Sequence, residues 1–262
     1  MGERKWEDMK TDCLVEVFEK VGLKHLMLDV PLVCKSWHRA SLIPECWKFL
    51  DFTTVTKGVQ VSDPTEMIMV AVTRSCGTAI KVVLPKYCTV EHLVYISDQC
   101  PAVKALIVPY IEASLEEEEC IPKLLAKFKE LEMLRLGCDI NFEKMVTEIV
   151  TNCKNFRALF TSGNIHMEEA STIVTFLPNL KYLGLRGSYL PRECLIHILN
   201  GCKNLVFLDV GNCIGFDEDD DEISKLASHI KTFKSEGSML YDYEDDYLDC
   251  NDYEDFTGNG SD

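Results

Sequence analysis

The sequence lacks the short-range signatures of a metal site or a redox centre. None of its 13 cysteines stand in a Cys-x-x-Cys spacing, and no two of its six histidines lie three to five residues apart. Zinc sites and redox-active dithiols usually carry these spacings. The odd number of cysteines also argues against a disulfide framework. We therefore expect reduced cysteines and no metal or other cofactor.

Long apolar segments are missing as well. No run approaches the roughly 18 consecutive apolar residues of a membrane helix. The first ten residues, MGERKWEDMK, contain no apolar segment of the kind found in secretory signals. The sequence therefore predicts a soluble intracellular protein that does not associate with membranes.

Catalytic motifs are also absent. No local motif links any histidine to a cysteine, as a cysteine hydrolase would require, and no glycine-rich loop carries the Lys and Ser/Thr of a phosphate-binding loop. We expect no catalytic residues and a protein that is not an enzyme.

The chain has a large excess of acidic residues, which is concentrated in two places. The formal net charge is -16; residues 235–262 contain ten acidic residues and no Lys or Arg, and residues 217–222 contain six more. The rest of the chain is close to neutral. Acidic surfaces repel phosphate backbones, so we expect no nucleic-acid partner. The run at 217–222 lacks EF-hand spacing, which favours a solvated surface over a cation site.

A repeat of about 25 residues occupies most of the chain. Five stretches fit the pattern (Cys/Leu/Phe)-x-x-Φ-x-x-Leu-x-Φ, where Φ is apolar, and their starts are 24 to 28 residues apart. Weaker copies precede and follow them, and residues 47–52 resemble a first strand. The five clear stretches are 100–108, 128–136, 153–161, 177–185 and 202–210.

Between these stretches the apolar spacing becomes helical, as at Met145, Ile149 and Cys153. Each unit is therefore predicted to be a short strand, a turn and a helix, which is the plan of a leucine-rich repeat. Single units cannot bury their apolar face, so about six to seven of them should stack into an α/β solenoid. Its parallel strands would line the concave face, and its helices the convex face.

Strand alternation identifies the side chains that should point outward from this sheet. Tyr182 and Phe207 are predicted to be exposed neighbours, and aromatic residues beside arginines are typical of binding hot spots. The alternative is that these side chains only pack on one another or under the tail. The candidate partner-binding residues are Met133, Arg135, Phe160, Tyr182, Arg186, Phe207 and Asp209.

The N-terminal segment does not follow the repeat. Leu14, Val17, Phe18 and Val21 form one helical stripe. A second stripe, predicted for one later helix, contains Val33, Trp37 and Ala40. Three short helices in about 35 residues bury too little apolar surface to be stable alone. This module is therefore expected to pack against a partner or against the neighbouring domain.

Specific residues in this segment carry a family resemblance. The stretches 12–21 and 30–37, above all Val33-Cys34-Lys35-x-Trp37, resemble an F-box. Trp6 and the stretch 44–52 are similar to plant F-box/leucine-rich-repeat proteins in particular. The F-box match covers about 40 residues, and the repeat match covers most of the rest.

The resemblance implies a non-catalytic subunit of a ubiquitin ligase located in the nucleus and/or the cytoplasm. The F-box would bind a Skp-type adaptor, which connects to cullin and RING subunits, and the repeats would hold an unidentified protein substrate for ubiquitination. The residues that it implies for the adaptor interface or its support are Leu14, Val15, Val17, Phe18, Pro31, Val33, Cys34 and Trp37. The sequence does not divide these residues between interface and core.

The predicted organisation is an F-box at 6–45, leucine-rich repeats at 46–235 and an acidic, disordered tail at 236–262. Two interpretations of the tail stay open: a solubilising end, or a segment that engages a basic partner or covers the arginines of the repeat face. One alternative function also stays open, that of a leucine-rich-repeat scaffold with a degenerate F-box that recruits no ligase.

Overall fold

A computed structural model describes residue 6 and residues 9–57, 63–137 and 141–240. The acidic segment from 241 onward, for which a disordered tail is predicted, lies outside the described residues. The described chain starts with four short helices and continues as a regular alternation of strands and helices. The helices of the N-terminal module are α1 Thr11–Phe18, α2 Leu23–Leu28, α3 Val30–Val33 and α4 Lys35–Ser41.

Eight strands form one parallel sheet in which the order in space is the order in the chain. The five clear repeats supply β3 to β7, the weaker copies supply β2 and β8, and the stretch 47–52 supplies β1. The strands are β1 Phe49–Asp51, β2 Lys81–Val83, β3 Ala105–Val108, β4 Met133–Leu136, β5 Ala158–Phe160, β6 Tyr182–Gly184, β7 Phe207–Asp209 and β8 Thr232–Lys234. The predicted strand–helix solenoid is confirmed.

A helix follows each of the first seven strands, and the helices cover one face of the sheet. A 3-10 turn at Pro44–Trp47 leads into β1. The helices are α5 Phe52–Thr56, α6 Thr65–Ser75, α7 Val90–Gln99, α8 Leu115–Leu125, α9 Phe142–Asn152, α10 Met167–Phe176, α11 Arg192–Gly201 and α12 Asp221–Ala227.

The register places the central apolar residue of each strand in one buried row. Leu106 on β3 is the register partner of Leu134 on β4, which in turn is the register partner of Leu159 on β5. All three are fully buried. The same alternation turns the flanking residues of each strand to the other face, which no described helix covers. Short strands of this kind contribute only one or two core residues each, so the core is assembled by stacking the units.

The cysteines that start the repeats serve as core residues. Cys100, Cys153 and Cys202 occupy the same slot in their repeats, and all three are buried. Burial raises the pKa of the Cys153 and Cys202 thiols to about 11. Both side chains are therefore protonated at neutral pH, which suits a small apolar residue better than a nucleophile.

Two details differ from the sequence prediction. Val33 does not share a helix with Trp37 and Ala40, because Cys34 is extended (φ −163°, ψ 172°) and separates α3 from α4. The last repeat also continues past the predicted boundary at 235. Ser238 is buried, donates a hydrogen bond to the Val210 carbonyl at 2.7 Å and accepts one from the Cys213 amide.

Candidate functional site

The N-terminal module has a core of its own, built from two of the predicted adaptor-binding residues. Leu14 and Phe18 point from α1 into the interior, and each is 1% exposed. The Trp37 ring packs edge-on against Phe18, with 5.2 Å between ring centroids. Leu14 and Phe18 can therefore support a partner surface but cannot form it.

Trp37 connects this core with the surface. Its ring is half-buried, and its other neighbour is the exposed Trp6, with 6.1 Å between ring centroids and an interplanar angle of 74°. Val15, Val17 and Pro31 are half-buried as well, with the two valines packed against the core. These four predicted residues lie where a partner can reach part of each side chain.

Three strongly exposed apolar side chains of the module lie on α2 and α3. Leu32 is 83% exposed, Val33 57% and Leu28 50%. We call these three residues the apolar patch. Water contact of several large apolar side chains so close together is typical of a protein-binding surface. The sequence analysis predicted only Val33 of these three as an adaptor-binding residue, because Leu28 and Leu32 belong to neither helical stripe.

Basic side chains border the apolar patch. A shallow groove next to it is lined by Pro31, Leu32, Cys34, Lys35, His38 and Arg39. Lys35, His38 and Arg39 are exposed at the start and end of α4. An apolar centre with a charged rim is the usual composition of a protein–protein interface.

A second candidate surface is the sheet face, by which we mean the outward side of strands β3 to β8 together with the residues that immediately flank them. Met133 and Arg135 on β4 are half-buried and point outward, as alternation predicts. Tyr182 on β6 is 39% exposed. The register pairs Tyr182 with Phe207, but no ring contact joins them in the described chain. Tyr182 and Phe207 are therefore neighbours on adjacent strands, as predicted, although their rings are not in contact.

The aromatic pair on the sheet face is Phe160 with Phe207. Their ring centroids are 6.3 Å apart, although β6 lies between their strands. Gly184 on β6 makes this possible, since a Cβ atom there would lie 2.4 Å from Phe160 Cδ1. Lys234 on β8 places its ammonium group 5.7 Å from the centroid of the Phe207 ring, a cation–π geometry. One short residue thus lets two rings meet across a strand.

Asp209 is not the exposed contact that the sequence predicts. Its side chain points outward from β7 but is only 6% exposed. Asp209 Oδ1 accepts a hydrogen bond from the Gly211 amide at 3.1 Å and lies 3.6 Å from Nη1 of Arg186. Arg186 itself is 45% exposed and lies over Gly211. Asp209 therefore positions Arg186, and only Arg186 is available to a partner.

Within the residues that the structure describes, no group of three or more His, Cys, Asp or Glu side chains could hold a metal ion. Within those same ranges, no helix is both long and apolar enough to span a membrane. What the described chain does offer is two partly exposed apolar surfaces, each bordered by cations, which suits protein binding.

Comparison with known proteins identifies relatives along most of the chain, although no protein-family model matches it. An F-box/LRR-repeat protein of Arabidopsis thaliana is 28% identical over 225 residues, which cover 80% of this chain and 72% of the relative. The Arabidopsis F-box protein FBW2 is 26% identical over 99% of this chain and 83% of its own length. A third Arabidopsis relative, also named as an F-box/LRR-repeat protein, is 25% identical over 88% of this chain and 53% of its own.

Among solved structures, a TLR13–ssRNA13 complex matches 63% of this chain and 25% of its own at a TM-score of 0.38 and 15% identity. So low a score supports no statement about function. The relatives, in contrast, extend through both the helical module and the repeats. Together with the four N-terminal helices and the eight-stranded parallel sheet, they confirm the resemblance of the chain to plant F-box/leucine-rich-repeat proteins.

Proposed function

We propose that this chain is the substrate-recognition subunit of a Skp–cullin–F-box ubiquitin ligase. The N-terminal module binds a Skp-type adaptor, which brings the cullin and RING subunits, and the sheet face binds a target protein. The chain itself is non-catalytic, because ubiquitin transfer takes place on the other subunits. It acts in the nucleus or the cytoplasm.

The apolar patch is the observation that carries this proposal. Leu28, Leu32 and Val33 are exposed, whereas Leu14 and Phe18 of the same module are buried. Leaving three large apolar side chains in water has no benefit for the isolated fold, whereas burying each in an interface contributes about 1.5–3 kcal/mol. Six of the predicted adaptor residues are also at least partly exposed and can contribute to the adaptor interface: Val15, Val17, Pro31, Val33, Cys34 and Trp37. Leu14 and Phe18 are core residues of the module, and Phe18 packs against the Trp37 ring.

Co-purification of the full chain with adaptor and cullin tests the proposal. The informative variant is Leu32→Asp, because the side chain is 83% exposed and its loss does not disturb the core. A matched control is Leu115→Asp at the start of α8, where the side chain is 82% exposed and distant in sequence from the module. We expect wild type and Leu115→Asp to retain both partners, and Leu32→Asp to retain at least tenfold less of both.

Failure of the wild-type chain to retain adaptor and cullin would contradict the proposal. Retention of the adaptor without the cullin would do the same. Either result would favour the scaffold alternative, in which the repeats bind a partner and the F-box recruits no ligase.

A further inference from the structure

The sheet face is cationic in a protein whose formal net charge is -16. Seven Lys and Arg residues lie in strands β3 to β8 or within two residues of a strand end, together with the carboxylates Glu132, Asp209 and Glu236. The carboxylate of Glu218 also reaches this region, where it accepts a hydrogen bond from the Gly237 amide. The seven cations are Lys104, Arg135, Arg157, Lys181, Arg186, Lys231 and Lys234. We call this set, with the Phe160–Phe207 pair, the cationic face.

The carboxylates neutralise only part of this charge. Glu132 is shared between Lys104, at 3.2 Å, and Arg157. Asp209 lies beside Arg186. Arg135, Lys181 and Lys231 form no ion pair with any residue of the described ranges. A surface that collects uncompensated cations in an otherwise acidic molecule attracts acidic segments.

Aromatic rings lie in the middle of these cations. Phe160 and Phe207 meet over Gly184, with Tyr182 39% exposed on the same strand as the glycine. A ligand for this surface therefore needs negative charge along its length and flat or apolar side chains at intervals. Aromatic residues surrounded by cations favour a tyrosine-containing acidic peptide over a purely acidic one.

The chain itself contains a segment of this composition. Residues 241–262 include nine acidic residues, four tyrosines, one phenylalanine and no Lys or Arg. The segment follows directly on the last described repeat, in which the Met239 amide donates a hydrogen bond to the Cys213 carbonyl at 3.0 Å. Leu240, its attachment point, is 56% exposed.

The length of this segment is sufficient to reach the whole cationic face. Its 22 residues span up to roughly 70 Å when extended. From β8 to β3 there are five strand spacings, or roughly 24 Å. A tethered ligand of this reach has an effective concentration in about the millimolar range, so even weak affinity gives substantial occupancy.

We propose that residues 241–262 bind the cationic face of their own chain and compete there with the target protein. The inference rests on the proposed role of the sheet face in target binding, whose regulation it describes. Carboxylates of the segment pair with Arg135, Lys181 and Lys231, and its tyrosines pack on Phe160 and Phe207. A target that displaces the segment has the same chemistry: an extended acidic stretch with tyrosine or phenylalanine side chains.

Binding of a labelled peptide in trans tests this inference on the full chain. The probe is a synthetic fluorescent peptide with the sequence of residues 241–262, and binding is followed by fluorescence anisotropy. One sample is the wild-type chain. The other is a full chain in which the nine acidic residues of the segment are replaced by Asn or Gln. We expect the peptide to bind the neutralised chain at least tenfold more tightly, because the wild-type face is already occupied.

Charge reversal locates the site. In the neutralised chain, Arg135→Glu with Lys181→Glu is expected to weaken peptide binding at least tenfold. Lys123→Glu with Lys144→Glu, on α8 and α9, changes the net charge equally and is expected to alter binding less than twofold. Thermal melts of both double variants establish that they are folded.

Equal peptide affinity for the wild-type and neutralised chains would overturn the inference, as would equal effects of the two double variants. A single-stranded oligonucleotide of similar charge that competes as effectively as the peptide would also overturn it. The assay requires no adaptor, so its failure is distinguishable from failure of the proposed ligase function. Loss of adaptor binding with intact peptide binding would reject the ligase role alone.

Discussion

At the scale of single residues, the neutral imidazole of His92 links two neighbouring repeats through hydrogen bonds. Nδ1 accepts a hydrogen bond from the Thr89 amide at 2.9 Å and completes the capping box of α7. Nε2 lies 2.8 Å from the hydroxyl of Thr65, the first residue of α6. Burial lowers the pKa of His92 below its ordinary value of 6.5, against the opposing charges of Asp63 and Glu91.

This arrangement predicts a loss of stability on mild acidification. Because the folded pKa is below the unfolded one, the contribution of His92 is fully present above pH 6.5 and is lost as the pH falls from 6.5 through the lower pKa of the folded chain. Losing the hydrogen bond to the Thr89 amide costs about 1 kcal/mol. We expect melting temperature to fall between pH 7.5 and 5.5, and the fall to be smaller in His92→Gln.

The control for that experiment is His38→Gln, since His38 is exposed on α4. This substitution also replaces one histidine by glutamine but leaves the contacts of His92 with Thr65 and Thr89 in place. An identical pH profile for wild type and His92→Gln would show that the buried imidazole does not couple to folding.

Which residues are buried could be predicted from the sequence in the repeats but not in the N-terminal module. Leu134 and Leu159 are in the core because a fixed spacing repeats over many units. In the module, Leu14 and Leu32 are chemically identical, yet one is 1% and the other 83% exposed. Four short helices give too few periods to define a face. The Phe160–Phe207 contact could not be predicted from the sequence either, because it depends on the space left by Gly184 in the strand between them.

At the scale of secondary-structure elements, the acidic run at 217–222 proves to organise a helix start. Asp220 is the N-cap of α12 and accepts hydrogen bonds from the amides of Glu222 and Ile223. Its other carboxylate oxygen is 2.6 Å from Nε of Arg192, at the start of α11. The Arg192 hydrogen bond, with the capped amides, holds the pKa of Asp220 below its usual range.

Substitution of Asp220 separates these two roles. Asp220→Ala removes both the helix cap and the ion pair with Arg192. We expect it to lower the free energy of unfolding by about 1–2 kcal/mol. Asp220→Asn keeps a capping oxygen and should lose less. Since the folded pKa is lowered, the wild-type advantage persists at neutral pH and disappears as the pH falls below the ordinary value of 3.8. Urea unfolding of the three chains at pH 7 measures the difference; equal stability would contradict the capping role.

Element boundaries were predictable where a repeat supplied the spacing. All five clear repeats contain a strand at the expected slot, from β3 to β7. The break between α3 and α4 was not predictable, because Val33, Trp37 and Ala40 have helical spacing even though Cys34 is extended. Backbone geometry at one residue thus overrides a side-chain pattern.

At the scale of the whole molecule, the N-terminal helices and the repeats share one hydrophobic core. Trp47 is fully buried where they meet, and its Nε1 donates a hydrogen bond to the Ser41 carbonyl at 2.7 Å. Arg74 of α6 lies over the Trp47 ring, with 5.1 Å from its guanidinium carbon to the ring centroid. Lys48 forms an ion pair with Glu19 at 2.8 Å. The small module thus gains through the first repeats the burial that its own helices lack.

A shared core predicts that the module and the repeats unfold together. Trp47→Ala should lower the free energy of unfolding by about 3–5 kcal/mol. Trp6→Ala, at a side chain that is 59% exposed, should cost about 1 kcal/mol. Urea unfolding followed by tryptophan fluorescence and by far-ultraviolet circular dichroism is expected to give one coincident transition. Two separate transitions in the wild-type chain would show that the module folds independently.

The central claim is that adaptor and target use different surfaces of one continuous fold. Hydrogen–deuterium exchange of the full chain, alone and with a Skp-type adaptor, tests it most directly. We predict slower exchange in residues 28–42, which contain the apolar patch and α4, and unchanged exchange in strands β3 to β8. Protection of the strands, or no protection within 28–42, would contradict the assignment of the adaptor surface.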